Sequence, residues 1–467
     1  MTESIAVPIT ENLGRIEKLL SDAVVDDPAT GQYRVNRRIF TDEEVYELEM
    51  KYIFEGNWIF LAHESQIPNP GDYYTTYMGR QPVVITRSAN GELHCLINAC
   101  SHRGAMICRR KTDNRRTFTC PFHGWTFRND GKLLKVKAPE GAGYPDEFNQ
   151  DGSHDMTKVA RFDSYRGFLF GSLNPDVSTL DDYLGDMTKL LDMFVDQAGP
   201  EGMEVLRGSS SYTYDGNWKL QIENGADGYH VTTVHWNYQA TTARRRSGES
   251  STDLKTLDAT TWSGDAGAYW SFKNGHLCLW SKMVNAPDIA RWVSTDHDAL
   301  AQKLGQEGAD FTLGYTRNNG FYPNMFLMDQ LSSQIRVLRP INVDKTLVTI
   351  YCIAPKGEDP KTRALRIRQY EDFFNASGMA TADDLEEFRG FQRSARATAA
   401  PWNDISRGAQ HWIDGADPVA KKLGIEPLSS GVKVEDEGLF VTQHNHWLSS
   451  IQAAVANERA ITNSGGN

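Results

Sequence analysis

The feature that most restricts this chain is a pair of short loops that each carry one thiol and one imidazole. They are Cys100-Ser101-His102 and, after seventeen intervening residues, Cys120-Pro121-Phe122-His123. Thiolate and imidazole together are ligands for zinc and iron–sulfur centres. Four of the six cysteines lie between Cys95 and Cys120. The opening MTESIAVPIT has no basic region ahead of an apolar stretch and does not read as a secretory signal. In the cytoplasm, the compartment expected by default, thiols stay reduced, so metal chemistry explains the crowding better than a disulfide framework. Cys95, Cys108, Cys278 and Cys352 have no matching partner pattern and are expected to be small buried apolar residues.

Two kinds of centre suit four such donors. A Rieske [2Fe–2S] cluster needs two thiolates on one iron and two imidazoles on the other. A structural zinc ion also accepts two Cys and two His. Zinc fingers usually group Cys with Cys and His with His, whereas here each loop mixes them, and that mixture favours the cluster. Gly104 and Gly124 allow close backbone approach, where amide N–H groups can bond the sulfurs, and Pro121 stiffens the second loop.

The chain has 467 residues, room for about three domains. Lys plus Arg is 49 against 61 Asp plus Glu, so 49 − 61 = −12, which argues against a polyanion binder and hence against nucleic acid as a partner. His444-Asn445-His446 is accordingly read as local polar structure. Apolar runs such as Val348–Ala354 fall well short of the roughly 18 residues that suggest a membrane span. A folded chain with no membrane partner is expected.

Helical spacing marks residues 11–22 and 41–56, with Thr41 followed by Asp42, Glu43 and Glu44 at a helix start. Residues 57–174 change to short β-branched and aromatic runs, among them Tyr73–Met78, Pro82–Arg87 and Phe168–Leu173, separated by turns such as Asn69-Pro70-Gly71 and Asn129-Asp130-Gly131. Ser178-Thr179-Leu180-Asp181 has the form of a capping box opening a helix through Phe194. Beyond it, strand-like stretches at 204–215, 275–283 and 335–354 alternate with helical ones at 218–232, 362–376 and 383–396. The expected class is α+β: a helical N-terminal lead (1–56) packing on the catalytic domain, an all-β domain (57–174), and a domain with a large antiparallel sheet flanked by helices (175–467). The Ser464-Gly465-Gly466 tail is expected to fray.

A second constellation lies in that last domain. Asp227 and His230 are three apart and would share a helix face, while His235 would sit about 140° round from His230 on an ideal helix. Their convergence therefore requires a bend or helix end, which Gly225 and Gly228 permit. Two histidines and one carboxylate form the facial triad that leaves positions open on non-haem Fe(II). Asp383 and Asp384 offer that carboxylate, although acids at a helix start are common on exposed surfaces.

Taken together, these residues resemble the large (α) subunit of Rieske non-haem iron ring-hydroxylating dioxygenases, over most of the chain. The resemblance rests on Cys100-x-His102-Arg103-Gly104, on Cys120-Pro121-Phe122-His123-Gly124-Trp125, and on Asn217-Trp218-Lys219 leading into Glu223-Asn224-x-x-Asp227-x-Tyr229-His230-x-x-x-x-His235. It implies that Cys100, His102, Cys120 and His123 hold the [2Fe–2S] cluster. It implies further that His230, His235 and Asp384, with Asp383 as fallback, hold a mononuclear iron. Asp227 would be the electron-transfer bridge between His230 and His123 of the partner subunit in a trimer. Within the family the chain is most similar to the benzoate branch, which also includes toluate, anthranilate and halobenzoate enzymes, through Tyr52-x-Phe54-x-x-x-Trp58 and Gly320-Phe321-Tyr322-Pro323-Asn324.

The implied activity is cis-dihydroxylation of an aromatic carboxylate, with both oxygens from O₂. No plant-type C-x₄-C-x₂-C pattern and no strand-associated G-x-G-x-x-G appears in the sequence, so electrons from NADH would come through a separate flavin/iron–sulfur reductase. A small β subunit in an α₃β₃ assembly, or α₃ alone, is also implied. Arg317, Arg336 and Arg389 are possible carboxylate partners, and segments 217–235, 275–284 and 320–334 are candidate pocket linings. The readings from other classes are a zinc-binding protein and a pure electron carrier.

Overall fold

A computed structural model describes residues 12–244, 267–283, 289–330, 332–373 and 375–464, to which all structural statements below refer. Residues 11, 284, 331 and 374 of the stretches above, and the tail from Gly465, lie outside them. The chain resolves into two compact units, Ile53–Leu180 and the residues flanking it on either side.

The Ile53–Leu180 unit is built from β-sheets. Leu93–Ile97, Gln81–Arg87, Asp72–Met78 and Thr112–Asn114 form an antiparallel sheet in that order. Along its central strand, Val83 and Ile85 enter one hydrophobic core with Ile59, Leu61 and Leu169, while Val84 faces a second core. That alternation is the period of two that a strand covered on both faces requires. The second core contains Cys100, Cys120, Trp125 and Phe127, so the two cysteine loops are rooted in it. Three-stranded sheets formed by Thr117–Thr119, Thr126–Arg128 and Leu133–Lys135, and by Ile59–His63, Phe168–Ser172 and Arg161–Tyr165, complete the unit.

The larger unit is organised on an antiparallel sheet of ten strands. Its central run is Lys345–Pro355, Ser333–Asn342, Met325–Asp329, Tyr315–Phe321, Leu277–Lys282 and Gly267–Ser271, each paired with the next. The α+β expectation holds, and several local expectations are refined. The stretch 335–354 is a hairpin, Ser333–Asn342 and Lys345–Pro355, rather than one strand. The helix expected through Phe194 is two, Leu180–Leu184 and Met187–Val195, broken where Gly185 takes φ +51°. The N-terminal lead is not wholly helical. Between Leu13–Ser21 and Glu43–Leu48 it carries the hairpin Val24–Asp27/Gln32–Asn36, whose second strand pairs with Trp402–Asp404. Asp42 caps the helix that follows, accepting from Val45 N. The helix predicted over 218–232 stops at Asn224.

A buried ion pair ties this unit together. Glu49 and Lys219 are both buried, and the Lys219 ammonium donates to Glu49 Oε1. The same carboxylate accepts from Trp218 Nε1 and Trp447 Nε1, each at 2.7 Å. The Lys219 ammonium also lies 5.1–5.5 Å from the Phe40, Trp218 and Trp447 rings, close enough for cation–π attraction. One charge pair thus joins the N-terminal lead, the helix Trp218–Asn224 and the C-terminal helix Gly438–Ser464. Glu49→Gln leaves the Lys219 charge buried without its counter-charge, which costs about 3–5 kcal/mol. The expected result is a correspondingly lower guanidinium midpoint by tryptophan fluorescence, with much of the loss recovered in Glu49→Gln/Lys219→Met.

Candidate metal centres

The two cysteine–histidine loops have the same backbone construction. In the first, Cys100 N donates to Ala105 O and Gly104 N to Cys100 O, both at 2.8 Å. In the second, Cys120 N donates to Trp125 O at 2.7 Å and Gly124 N to Cys120 O at 3.0 Å. Gly104 and Gly124 close these turns at φ +72° and +75°, a left-handed conformation that disfavours a side chain. The result is two equivalent loops presenting thiol and imidazole together. Both thiols are buried and free, the two imidazoles are half-buried, and the His102 and His123 ring centroids are 4.6 Å apart. His102 stacks flat on Trp125 at 4.7 Å, which fixes its ring plane.

These residues fit a two-iron cluster. His102 Nδ1 is buried with no hydrogen-bond partner in the protein, as a metal-ligating nitrogen would be. Burial, reinforced by the neighbouring Cys120, holds the Cys100 thiol pKa up, so two adjacent thiolates here require positive charge beside them. Among the described residues, the group compact enough for one ion is a different one, His230, His235 and Asp384. The loop donors are not gathered on one point in that way, as suits ligands shared between two irons.

The second group is assembled from three short elements. Helix Trp218–Asn224 is capped by the Asn217 side chain and ends at Gly225. A turn carries the chain through Asp227 to His230, which caps the four-residue helix Val231–Val234, and His235 closes that helix. The bend that convergence required is therefore present, and Asp227 and His230 lie on a turn rather than on one helix face. The turn runs where side chains do not fit: a Cβ at Gly225 would stand 2.5 Å from Phe326 Cζ, and one at Gly228 2.2 Å from Val434 O. Asp384 arrives from the first turn of helix Thr381–Ser394.

His230 Nε2 and His235 Nε2 are 3.3 Å apart, and Asp384 Oδ1 lies 3.5 Å from the first and 3.4 Å from the second. Ligands about 2.1 Å from a common metal are separated by about 3.0–3.4 Å when they occupy one face of its coordination sphere. The electrostatics suit a cation. Burial lowers the His235 pKa to about 3, with His230 adding to the effect, so its ring stays neutral with a free lone pair. Burial raises Asp384 to about 6, against the opposing influence of His230, Arg336 and Asn224. A buried carboxylate in this setting is stabilised by a metal ion. For His230, burial opposes protonation but Asp227 and Asp384 outweigh it, raising its pKa.

Asp227 Oδ2 lies 3.1 Å from His230 Nδ1, the nitrogen turned away from the triad. Asp383 Oδ2 stands 4.0 Å from His235 Nδ1, likewise on the far nitrogen, and its side chain is more exposed than that of Asp384. Asp384 is therefore the acid that shares a point with both histidines. Asn224, quoted in the sequence motif without a role, has its Nδ2 3.3 Å from both His230 Nε2 and Asp384 Oδ1. Phe373, which carried no sequence signal, packs edge-on against His235 at 5.5 Å. Of the three arginines, Arg317 is buried in an ion pair with Asp329 and Arg389 pairs at the surface with Glu386, whereas Arg336 lies close enough to influence Asp384.

Residues 57–149 match the Rieske [2Fe-2S] domain, and residues 203–419 match the ring hydroxylating alpha subunit (catalytic domain). The toluate 1,2-dioxygenase subunit alpha of Pseudomonas putida is 56% identical over 94% of this chain and 96% of its own length. The chain belongs to the Rieske aromatic-ring-hydroxylating dioxygenase α subunits. The large subunit of 2-halobenzoate 1,2-dioxygenase from Burkholderia cepacia is 55% identical, covering 96% of each chain. The structure of naphthalene 1,2-dioxygenase from Rhodococcus sp. bound to indole superposes with a TM-score of 0.76 at 26% identity, covering 95% of this chain and 98% of that one. This α subunit is thus an oxidoreductase of a class that uses a Rieske cluster and a mononuclear non-haem iron. A zinc protein or a pure electron carrier would leave the catalytic domain without a role. Among the described residues no helix is long and apolar enough to cross a membrane.

Replacing Asp384 by Ala is expected to lower iron from about three to about two atoms per chain, the cluster remaining. Asp383→Ala should retain about three. Iron analysis together with the reduced cluster's electron paramagnetic resonance spectrum checks both.

Proposed function

We propose that this α subunit dihydroxylates an aromatic monocarboxylate, with benzoate as the type substrate, to cis-1,2-dihydroxycyclohexa-3,5-diene-1-carboxylate. One arene, one O₂, one NADH and one proton give one diol and one NAD⁺. The observation that carries the reading is the compact His230, His235 and Asp384 site in a chain 55–56% identical, over nearly its whole length, to subunits named for toluate and 2-halobenzoate. Toluate, halobenzoates and anthranilate are the alternative substrates.

In this reading Cys100, His102, Cys120 and His123 hold the cluster and His230, His235 and Asp384 hold the mononuclear iron. When bound, the two groups supply single electrons and dioxygen activation. The protein's task is to position and insulate. Asp227 Oδ2 stands 3.1 Å from His230 Nδ1, placed to favour the tautomer that carries its proton there and leaves Nε2 for the metal position. Asn224 donates to Asp384 Oδ1, holding that carboxylate's orientation. Burial keeps His235 neutral and water away. The partly exposed carboxylate of Asp227 is free to accept a second imidazole N–H, which we assign to His123 of the partner subunit in a trimer. A small β subunit in α₃β₃, or α₃ alone, and a separate NADH-dependent reductase complete the system.

Two outcomes test this. Turnover of benzoate by the α subunit with its β subunit, cognate reductase and NADH under ¹⁸O₂ should give a diol carrying two labelled oxygens by mass spectrometry; label from water in both hydroxyls would refute dioxygenation. Asp227→Ala should keep both metal centres largely occupied yet slow reoxidation of the cluster at least about tenfold in stopped flow, as loss of a second-shell partner does. Reoxidation at the wild-type rate would remove the bridge.

A further inference from the structure

Strand Ser333–Asn342 presents two polar side chains where its neighbours present apolar ones. Gln334 and Arg336 are two residues apart and therefore share a face. Across the sheet they lie opposite Met328 and Phe326 on one side and Cys352 and Ile350 on the other. This face looks toward the iron ligands' turn. Asn318, the cross-strand partner of Met328, donates from Nδ2 to Gly225 O at 2.9 Å, and Phe326 packs against Gly225. Helix Trp218–Asn224 lies on the same strand.

Both groups are withdrawn from water, with Gln334 at 0% and Arg336 at 2% exposure. Both polar atoms of the Gln334 amide are buried with no hydrogen-bond partner in the protein. Leaving a buried amide unsatisfied is costly, and native proteins rarely do so without a reason. The charge of Arg336 reaches Asp384 on one side and Tyr212 on the other. A mostly apolar wall with a few convergent polar groups is the usual form of a small-molecule site. An arene without a polar substituent would leave the Gln334 amide unmet, whereas a carboxylate accepts from the amide NH₂ and from the guanidinium.

We propose that Gln334 and Arg336 form the subsite that grips the carboxylate of the aromatic substrate, an assignment that rests on the aromatic-acid reading above. Arg336 supplies charge and paired donors, and Gln334 supplies a neutral donor that orients the group. The two make this chain select an acid over a neutral ring of the same size.

The test uses the holoenzyme with its β subunit and compares benzoate with benzamide, a neutral analogue of the same shape. Anaerobic calorimetry gives Kd for each, and turnover with the reductase gives kcat and KM. Arg336→Met should weaken benzoate binding by about a hundredfold or more while benzamide binding changes little. Arg336→Lys should recover part of the loss. Gln334→Leu, apolar and of similar volume, should weaken benzoate roughly ten- to hundredfold. Iron content and the cluster spectrum establish that each variant is intact, and if Arg336→Met does not fold, Gln334→Leu decides alone. Wild-type benzoate affinity and an unchanged benzoate-to-benzamide ratio in an intact variant would overturn the subsite and leave the aromatic-acid reading standing. A wild-type enzyme that oxidises neutral arenes but neither binds nor oxidises aromatic acids would overturn that reading, and the subsite with it.

Discussion

Three donor atoms held within 3.5 Å of one another, two of them on buried residues, repel or desolvate one another unless a cation lies between them. The surrounding structure must therefore hold them in place from outside. Asn217 does much of this at one helix end. Its side chain caps the helix leading to Asn224 and donates to Val343 O, while its backbone N–H donates to Gln392 Oε1. Gln392 lies on the helix that supplies Asp384 and donates in turn to Phe40 O. One amide pair thereby sets the spacing between the two elements that bring histidines and acid together. The Glu49–Lys219 pair, two residues further along, fixes the same helix against the N-terminal lead and the C-terminal helix.

What the sequence reveals of this arrangement depends on range. The cysteine–histidine loops are legible because each is local: spacing, glycine and proline all lie within a few residues, and both loops are rooted in one core. The bend between His230 and His235 is legible for a similar reason, since geometry forbids their convergence on a straight helix. Its route is not, because the need for glycine at 225 and 228 comes from Phe326 and the Val434 carbonyl, far away in sequence. Asp384 resembles any acid at a helix start until the fold buries it. Glu49, among several acids in its helical stretch, gives no sign that it is the one enclosed by two indoles and an ammonium. The strands Tyr315–Phe321 and Met325–Asp329 show no alternating pattern, because both of their faces are largely covered.

The two centres are exposed to different degrees, and this follows from what each exchanges. Electrons enter and leave the cluster, and its imidazoles are half-buried beside Phe122, which is 59% exposed. The triad must exclude water, and its Asp384 and His235 are buried, while Asp227 on its outer side remains partly exposed and Trp236 is 67% exposed.

Specificity follows from the same accounting of buried polar groups. A wholly apolar wall discriminates weakly, because a missing or added substituent changes binding by only about 1–3 kcal/mol. A wall containing groups that must be hydrogen-bonded discriminates strongly, since the wrong ligand leaves them unmet in a low-dielectric setting. Gln334, whose buried amide has no partner in the protein, introduces that asymmetry into the sheet face that adjoins the triad's turn. Under the proposed reading, a charged anchor close enough to influence Asp384 would also restrict rotation of a flat ring. For an aromatic acid, as proposed, the carboxylate would then determine which ring edge is presented, so selection of acids over neutral arenes and the position of attack would share one device.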